Sequence, residues 1–324
     1  MSDVSDWRRF SSAAGARGGL GLLVALVLVA LGADLMASDL PLACRHQGRL
    51  YILPCLTRPI ALQGGDGVDG WQLPTPIPYG PLQQHPHGVT DVLAPPSRTH
   101  WLGTDDRGRD VAARLVHGSR VAVVVGPIAV ALYLLLGVVV GALATLGRAA
   151  DLVLGRAIEV GLLFPTLLLL VAVQGLTSSL SLTEVTLALA LTQWPHIARL
   201  VRAEALRTAS LPHVEAARAL GAGRVRLLCR HVLPLALAPA LTAAAFGVGQ
   251  AVLFESALTF LGFGVPPPTA SWGELLAQAQ ASGLKPWLLW PPALAIALVV
   301  LACNVVGEGV RALVLFSGNS ADAA

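Results

Sequence analysis

Lysine is nearly missing from this chain: Lys285, followed at once by Pro286, is the only one. A phosphate-cradling loop needs a lysine in the run G-x-x-x-x-G-K-[ST], so the chain has no nucleotide-hydrolysing loop of its own. Charge is scarce as well. Charged residues make up 13% of the sequence, about half the usual fraction of a soluble domain. The four cysteines and eight histidines show no metal-ligand spacing, and His85-Pro-His87 reads as loop. Asp105, Asp106 and Asp110 lack the D-x-[DN]-x-[DN]-G run and distal glutamate of a calcium loop. No nucleophile–base pattern stands out, and the chain is not read as an enzyme.

What replaces charge is apolar surface, at 55% of residues and a mean hydropathy of +0.68. It is concentrated in six runs: Arg17 to Asp34, Arg120 to Arg148, Glu159 to Glu184, Leu180 to Ala198, His231 to Glu255 and Lys285 to Glu308. A helix crosses the hydrocarbon core in about 20 residues, so each run is a candidate span, the fourth being marginal. The reading is an all-α integral membrane protein with six transmembrane helices and an extended external loop after the first. Arginine placement orients it. Arg8, Arg9 and Arg17 precede the first run, Arg148 and Arg156 flank one short connection, and seven arginines fall in 199–231. The positive-inside rule puts these segments and both termini in the cytoplasm. The first run has no clean small-x-small cleavage site after it and is read as an uncleaved span.

The division that follows is 1–17, a cytoplasmic N-terminus; 18–37, the first transmembrane helix; 38–119, an extracytoplasmic loop; 120–313, a five-helix transmembrane domain; and 314–324, a cytoplasmic tail. The loop is rich in proline and glycine, with a short hairpin expected at GRLYILP. Cys44 and Cys55 lie in it, 11 residues apart; an oxidising exterior permits a disulfide there, and two unpaired thiols fit equally. At its end HWLGTDDRGRDVAARLVHGSR reads as a surface helix with Asp110 and Arg114 paired at i,i+4. A sharper reading makes Asp105, Asp106, Arg109 and Asp110, with Glu255 and Trp272, an external gate or docking face. Ser271-x-x-Glu274 predicts a capping box opening the helix WGELLAQAQ. Arg156 and Glu159 read as an interfacial pair, and Pro127, Pro165, Pro195 and Pro239 as bends. Trp272, Trp287 and Trp290 read as an interfacial belt.

The longest cytoplasmic connection, about 199–232, contains HVEAARALGAGRVRLLCRHVLP. Pro212 suits a first helical position, and Glu215 faces the positive helix end. Ala216, Ala217 and Ala219 are strong helix formers of small bulk. Gly221 and Gly223 are expected to stop that helix in left-handed geometry. A second short helix is expected over RVRLLCRHV, ended by Pro234. DNA reading would need a third supporting helix and access to a groove, which a loop tethered to a bilayer at both ends lacks. A small-faced helix with a glycine joint fits a docking knob for a cytoplasmic partner.

EAARALG, nine residues, a variable pair and then Leu233-Pro234 resembles the EAA loop of ABC importer permeases. LGTDDRGRDVAARL and ESALTFLGFGVPPPTASWGELL are similar to segments of the dipeptide/oligopeptide (peptide/nickel) subfamily, second-permease type. The likeness runs from about residue 98 to 313, and Leu235 departs from a frequent asparagine. The resemblance implies a type I ABC importer permease fold in a bacterial inner membrane. It implies that Glu215, Ala216, Ala217, Arg218, Leu220, Gly221 and Pro234 couple to ATPase subunits. Implied partners are a second homologous permease, two ABC ATPases, an extracytoplasmic solute-binding protein and membrane lipid, with no nucleic acid. ATP and Mg would sit on the partner subunits, with no cofactor on this chain. Peptide cargo is the leading implication; nickel complexes or peptide-like antibiotics stay open. An ion-driven secondary transporter is the alternative of another class, although no central acidic residue supplies its ion site.

Overall fold

The computed structural model describes residues 15–62, 70–84, 92–176 and 181–321. Arg8-Arg9, His85-Pro-His87 and the polar break at Thr177–Ser179 lie outside those residues. In chain order the elements are α1 (Ala16–Leu31), α2 (Ala33–Met36), β1 (Ala43–His46), β2 (Arg49–Ile52), α3 (Pro54–Thr57) and β3 (Gln72–Leu73). There follow α4 (Val111–Leu143), α5 (Arg148–Leu163), α6 (Thr166–Gly175), α7 (Leu182–Ala209) and α8 (Pro212–Ala219). Last come α9 (Arg224–Leu227), a π-turn over Leu228–Val232, α10 (Leu233–Phe260), α11 (Trp272–Ala281) and α12 (Pro286–Ala321). The chain divides into two compact units, one of 1–22, 125–254 and 299–324, the other of 23–124 and 255–298.

Among the described residues, three helical stretches are long and apolar enough to cross a membrane: Val111–Leu143, Arg224–Phe260 and Pro286–Leu313. Helices α5 and α6 make a fourth if taken as one span, bent by 93°. The bend falls at Phe164-Pro165, where proline lacks an N–H and pushes the residue before it out of helical geometry. Pro127, Pro195 and Pro239 lie inside continuous helices. Of the other two expected runs, α1 has 16 residues, short of the roughly 20 that span a bilayer. Helix α7 has length, but Glu184, Gln193, His196 and a cluster of arginines dilute its apolarity.

The unit containing 125–254 is helix against helix. α7 packs on α5 and α6, and Arg202 of α7 binds Asp151 of α5 at 2.6 Å. α4 meets α7 through Gly137-Val-Val-Val-Gly141. A Cβ on Gly137 would come within 2.6 Å of the Ile197 Cβ, and one on Gly141 within 2.6 Å of the Ala198 carbonyl oxygen. Small residues four apart let two membrane helices touch through their backbones. The outward surface is apolar, with Leu135 65% and Leu168 66% exposed. Such a surface suits hydrocarbon or another protein rather than water.

The second unit is mixed. Strand β1 lies between β2 and β3, antiparallel to both. The expected hairpin is present, but its turn is Gln47-Gly48, both with positive φ, the type I′ geometry that matches strand twist. GRLYILP therefore supplies only the second strand and the start of α3. Ala37, Ile77, Ala112 and Ala113 form one apolar cluster, and Val111, Leu275, Ala279 and Leu288 another. The second cluster fixes α11 against the start of α4, nine residues before the expected start of that span. His117 Nε2 lies 2.8 Å from the Ala37 carbonyl oxygen. Arg120 binds Asp34 at 2.7 Å and donates to the Ala30 carbonyl.

Candidate coupling loop and a buried charge network

Helix α8 begins where proline geometry allows. Leu211 is extended as N-cap, Pro212 stands in the first turn, and Glu215 follows within it. The helix ends in a Schellman motif: Ala222 N–H donates to the Ala217 carbonyl and Gly221 N–H to the Arg218 carbonyl. Gly221 has φ +87°, a conformation that costs other residues roughly 1–2 kcal/mol. Gly223 differs from expectation. Its φ is −66° and ψ 155°, making it the extended N-cap of α9 rather than a left-handed stop.

Pro234 does not end the second helix either. The chain runs helically from Arg224 to Phe260, and Leu233 N–H bonds to the Leu228 carbonyl across the π-turn. Proline offers no N–H and its ring crowds the carbonyl four residues back, so a wider turn before it accommodates the ring without a break. Val214 is fully buried and anchors α8. Glu215, Ala216, Arg218 and Gly221 are exposed, and Ala217 is half-buried. Leu220, at the tip, is 89% exposed. The loop thus presents small residues, one carboxylate, one arginine and one bare leucine on a rigid helix. Under it lies a hollow of about 430 Å³ bordered by Leu146, Ala205, Val214, Arg218, Arg224 and Leu228.

The residues read as an external gate or docking face all lie within the unit of 23–124 and 255–298, and two of them, Asp105 and Arg109, enter a buried charge network. Asp105 Oδ1 accepts the backbone N–H groups of Arg107 and Arg109, each at 2.9 Å. Its Oδ2 takes Arg109 Nε at 2.7 Å and stands 3.4 Å from Arg114 Nε. Arg109 then reaches Glu274 Oε1 at 3.2 Å, and Arg114 Nη2 donates to Glu274 Oε2. Two carboxylates and two guanidiniums alternate in a closed ring, so opposite charges are neighbours throughout. Asp105 and Arg114 are fully buried and Arg109 is 3% exposed. Gln278 Nε2 donates to Glu274 Oε1 at 3.1 Å, and Arg114 Nη1 to the Pro81 carbonyl at 2.9 Å. Buried charge persists only when paired and hydrogen-bonded in this way.

The expected Asp110–Arg114 side-chain pair is not formed, and this stretch is not a surface helix. Asp110 caps α4 instead, its Oδ1 accepting Ala113 N–H at 2.8 Å while Oδ2 meets His100 Nδ1 at 2.8 Å. A capping carboxylate turns back over the helix start, away from the side chain one turn on. His100 stacks on Tyr79 with ring centroids 4.5 Å apart. Asp106 is the partly exposed member of the group, its side chain 40% accessible. Burial first, and Asp105's charge second, raise its carboxyl above the usual carboxylate range.

Glu255 is buried, accepting from Thr259 Oγ1 at 2.9 Å and Ser256 Oγ at 3.3 Å. Trp272 is buried rather than interfacial, and its Nε1–H donates to the Leu115 carbonyl at 2.9 Å. Trp287 donates to the Thr104 carbonyl at 3.3 Å, and Trp290 is exposed. Only half of the expected capping box at Ser271 forms. Ser271 Oγ accepts Glu274 N–H at 3.1 Å, while the Glu274 carboxylate is taken by the arginine ring. The complete box is at Ser181–Glu184, where the carboxylate also accepts the Ser181 N–H. Arg156 and Glu159 form the expected exposed pair at 2.6 Å. Cys44 and Cys55 are both buried free thiols, and burial raises both thiol pKa values.

Sequence reasoning missed the Asp151–Arg202 and Asp34–Arg120 pairs and the Gly137–Gly141 contact. The last had a readable signal, glycines four apart in an apolar run. The ion pairs had none, because their partners are remote in sequence.

Residues 134–315 match the family model of the binding-protein-dependent transport system inner membrane component. A protein named as a peptide permease in Brucella suis is 34% identical over 277 residues, covering 80% of this chain and 91% of that one. The dipeptide transport system permease protein DppC of Alkalihalophilus pseudofirmus is 37% identical over 221 residues, 68% of this chain and 72% of its own. Among solved structures, the inward-facing MetNI methionine ABC transporter aligns with TM-score 0.53 and 22% identity over 62% of this chain and 96% of that chain. That likeness shows a common fold, the ABC permease fold expected from the sequence. The chain belongs to the family of binding-protein-dependent transport system inner membrane components. It is a membrane-embedded permease component.

Proposed function

We propose that the chain forms half of the translocation pathway of an ABC importer for di- or oligopeptides. It pairs with a second homologous permease, docks two ATPase subunits that carry ATP and Mg, and receives cargo from an extracytoplasmic solute-binding protein. Six helices cross a bacterial inner membrane with both termini in the cytoplasm, α1 and α7 joining the longer apolar spans. Helix α8 enters the ATPase, and nucleotide-driven closure swings α7 and α10, to which it is rigidly joined, so that access alternates between the two sides.

The observation that carries this reading is the exposed tip of α8, where Leu220 projects from a helix held at both ends. A short helix with a small-residue face and a leucine at its tip has the shape and chemistry of an element that enters a protein groove. The peptide-permease names of the relatives support the cargo class. The test is to purify the chain with candidate ATPases, then replace Leu220 by Asp or Glu215 by Lys. Loss of ATPase binding and of peptide uptake, with the permease still in the membrane, is expected. Unchanged uptake in both variants would refute the coupling role.

A further inference from the structure

Within the unit containing 125–254, four helices close round a hollow of about 340 Å³, a size that suits small-molecule binding. Its polar wall is Tyr133 of α4, Thr166 of α6, Gln193 and His196 of α7 and Gln250 of α10, with Phe254 beside them. Among the described residues, no aspartate, glutamate, lysine or arginine lines it. A Cβ on Gly247 would overlap the Tyr133 hydroxyl, so that glycine makes room for the phenol between α4 and α10.

Two facts stand against a purely structural account. Tyr133 and Gln250 belong to helices apolar enough to span a membrane, and polar side chains at that depth are costly unless they face protein or water. Gln250 and His196 are exposed, so neither is a satisfied core residue. The wall also has a definite chemistry. Amides, hydroxyls and an imidazole ring together offer both donors and acceptors of hydrogen bonds. Such a set matches a peptide group, which carries one donor and one acceptor whatever its side chain. Without fixed charge it does not hold a metal ion or a carboxylate tightly, and a transit site must release what it binds.

We propose that this hollow is a transit site of the permease, in which Gln193, His196 and Gln250 hydrogen-bond the backbone amides of a short peptide. The inference rests on the peptide-importer reading and names the surface that reading needs.

The test uses cells producing the whole importer, with trialanine as probe and a small hydrophilic methanethiosulfonate reagent. Ala243→Cys and Leu253→Cys, at the wall of the hollow but outside the hydrogen-bonding set, are compared with the parent chain and with Leu135→Cys on the outward apolar surface. The expected result is uptake before treatment, a loss of about tenfold after it, and protection by excess trialanine, with Leu135→Cys and the parent unaffected. Gln193→Ala with Gln250→Ala should lower the apparent affinity for trialanine about tenfold while ATP hydrolysis by the complex persists. If the parent imports trialanine but neither cysteine is modified, or modification leaves uptake intact, the transit site is wrong and the importer reading stands. If the parent imports no peptide, yet both cysteines are reached and another cargo protects them, the peptide reading fails and the pathway assignment survives.

Discussion

Arg109 and Glu274 are 165 residues apart in the chain, and their side chains meet at 3.2 Å. That contact ties the LGTDDRGRD turn to α11 and closes the ring with Asp105 and Arg114. Two stretches far apart in the sequence are thereby joined through buried charge.

Removing one carboxylate should therefore unfold more than it unlocks. Glu274→Ala leaves two guanidiniums short of a partner and should cost about 3–5 kcal/mol. Glu274→Gln keeps two hydrogen-bonding atoms and should cost less. The apparent melting temperature in detergent, with a double-mutant cycle through Arg109→Ala, measures it. A coupling energy near zero would show that the ring is not a unit.

The two glycines of the coupling loop should separate cleanly. Gly221→Ala forces an L side chain into φ +87° and should loosen the end of α8 by about 1 kcal/mol. Gly223→Ala, at φ −66°, should be nearly neutral. Uptake at matched membrane levels is the readout, and equal losses in both variants would contradict the assignment.

Gly118 and Trp272 form a tight contact within their unit. A Cβ at Gly118 would come within 2.7 Å of Trp272 Cδ1, so Gly118→Ala should destabilise by about 1–3 kcal/mol through overpacking. Trp272→Phe loses the bond to the Leu115 carbonyl and should cost about 1 kcal/mol. Thermal stability of the purified variants decides, and a neutral Gly118→Ala would mean the indole can move aside.

Cys44 and Cys55 should behave as buried thiols. Burial holds both pKa values above the usual thiol range, so the folded chain carries less thiolate than the unfolded one at mildly alkaline pH. Maleimide labelling of both should be at least about tenfold slower than after denaturation. The sign for stability follows from proton uptake. The folded state holds its thiol protons longer, so stability is intact below the unfolded thiol pKa and declines as pH rises toward the folded one. Fast labelling of either cysteine in the native protein would contradict its burial.

Much of the fold was legible because its causes are local. Pro212 and the alanines wrote α8, Gly221 wrote its end, and Ser271 wrote the start of α11. The π-turn before Pro234 was not legible, since the sequence shows that proline disturbs a helix but not that the turn before it can widen. The Asp110–Arg114 pair was misread because i,i+4 spacing lets two side chains meet and does not compel them to. Each had a better partner, His100 and the α4 N-terminus for one, Glu274 for the other.

By itself the sequence determined the medium and the joint. Apolar runs too long for a soluble core commit the chain to a bilayer, and a small-residue helix ended by a left-handed glycine commits 212–221 to a rigid projecting knob. Both rest on composition and near-neighbour spacing. Only the tertiary structure decided what the charged residues do, and which polar side chains share a hollow. Coulomb and hydrogen-bond energies depend on distance in space, and nothing in a linear chain says that residue 109 will lie beside residue 274 or residue 133 beside residue 250.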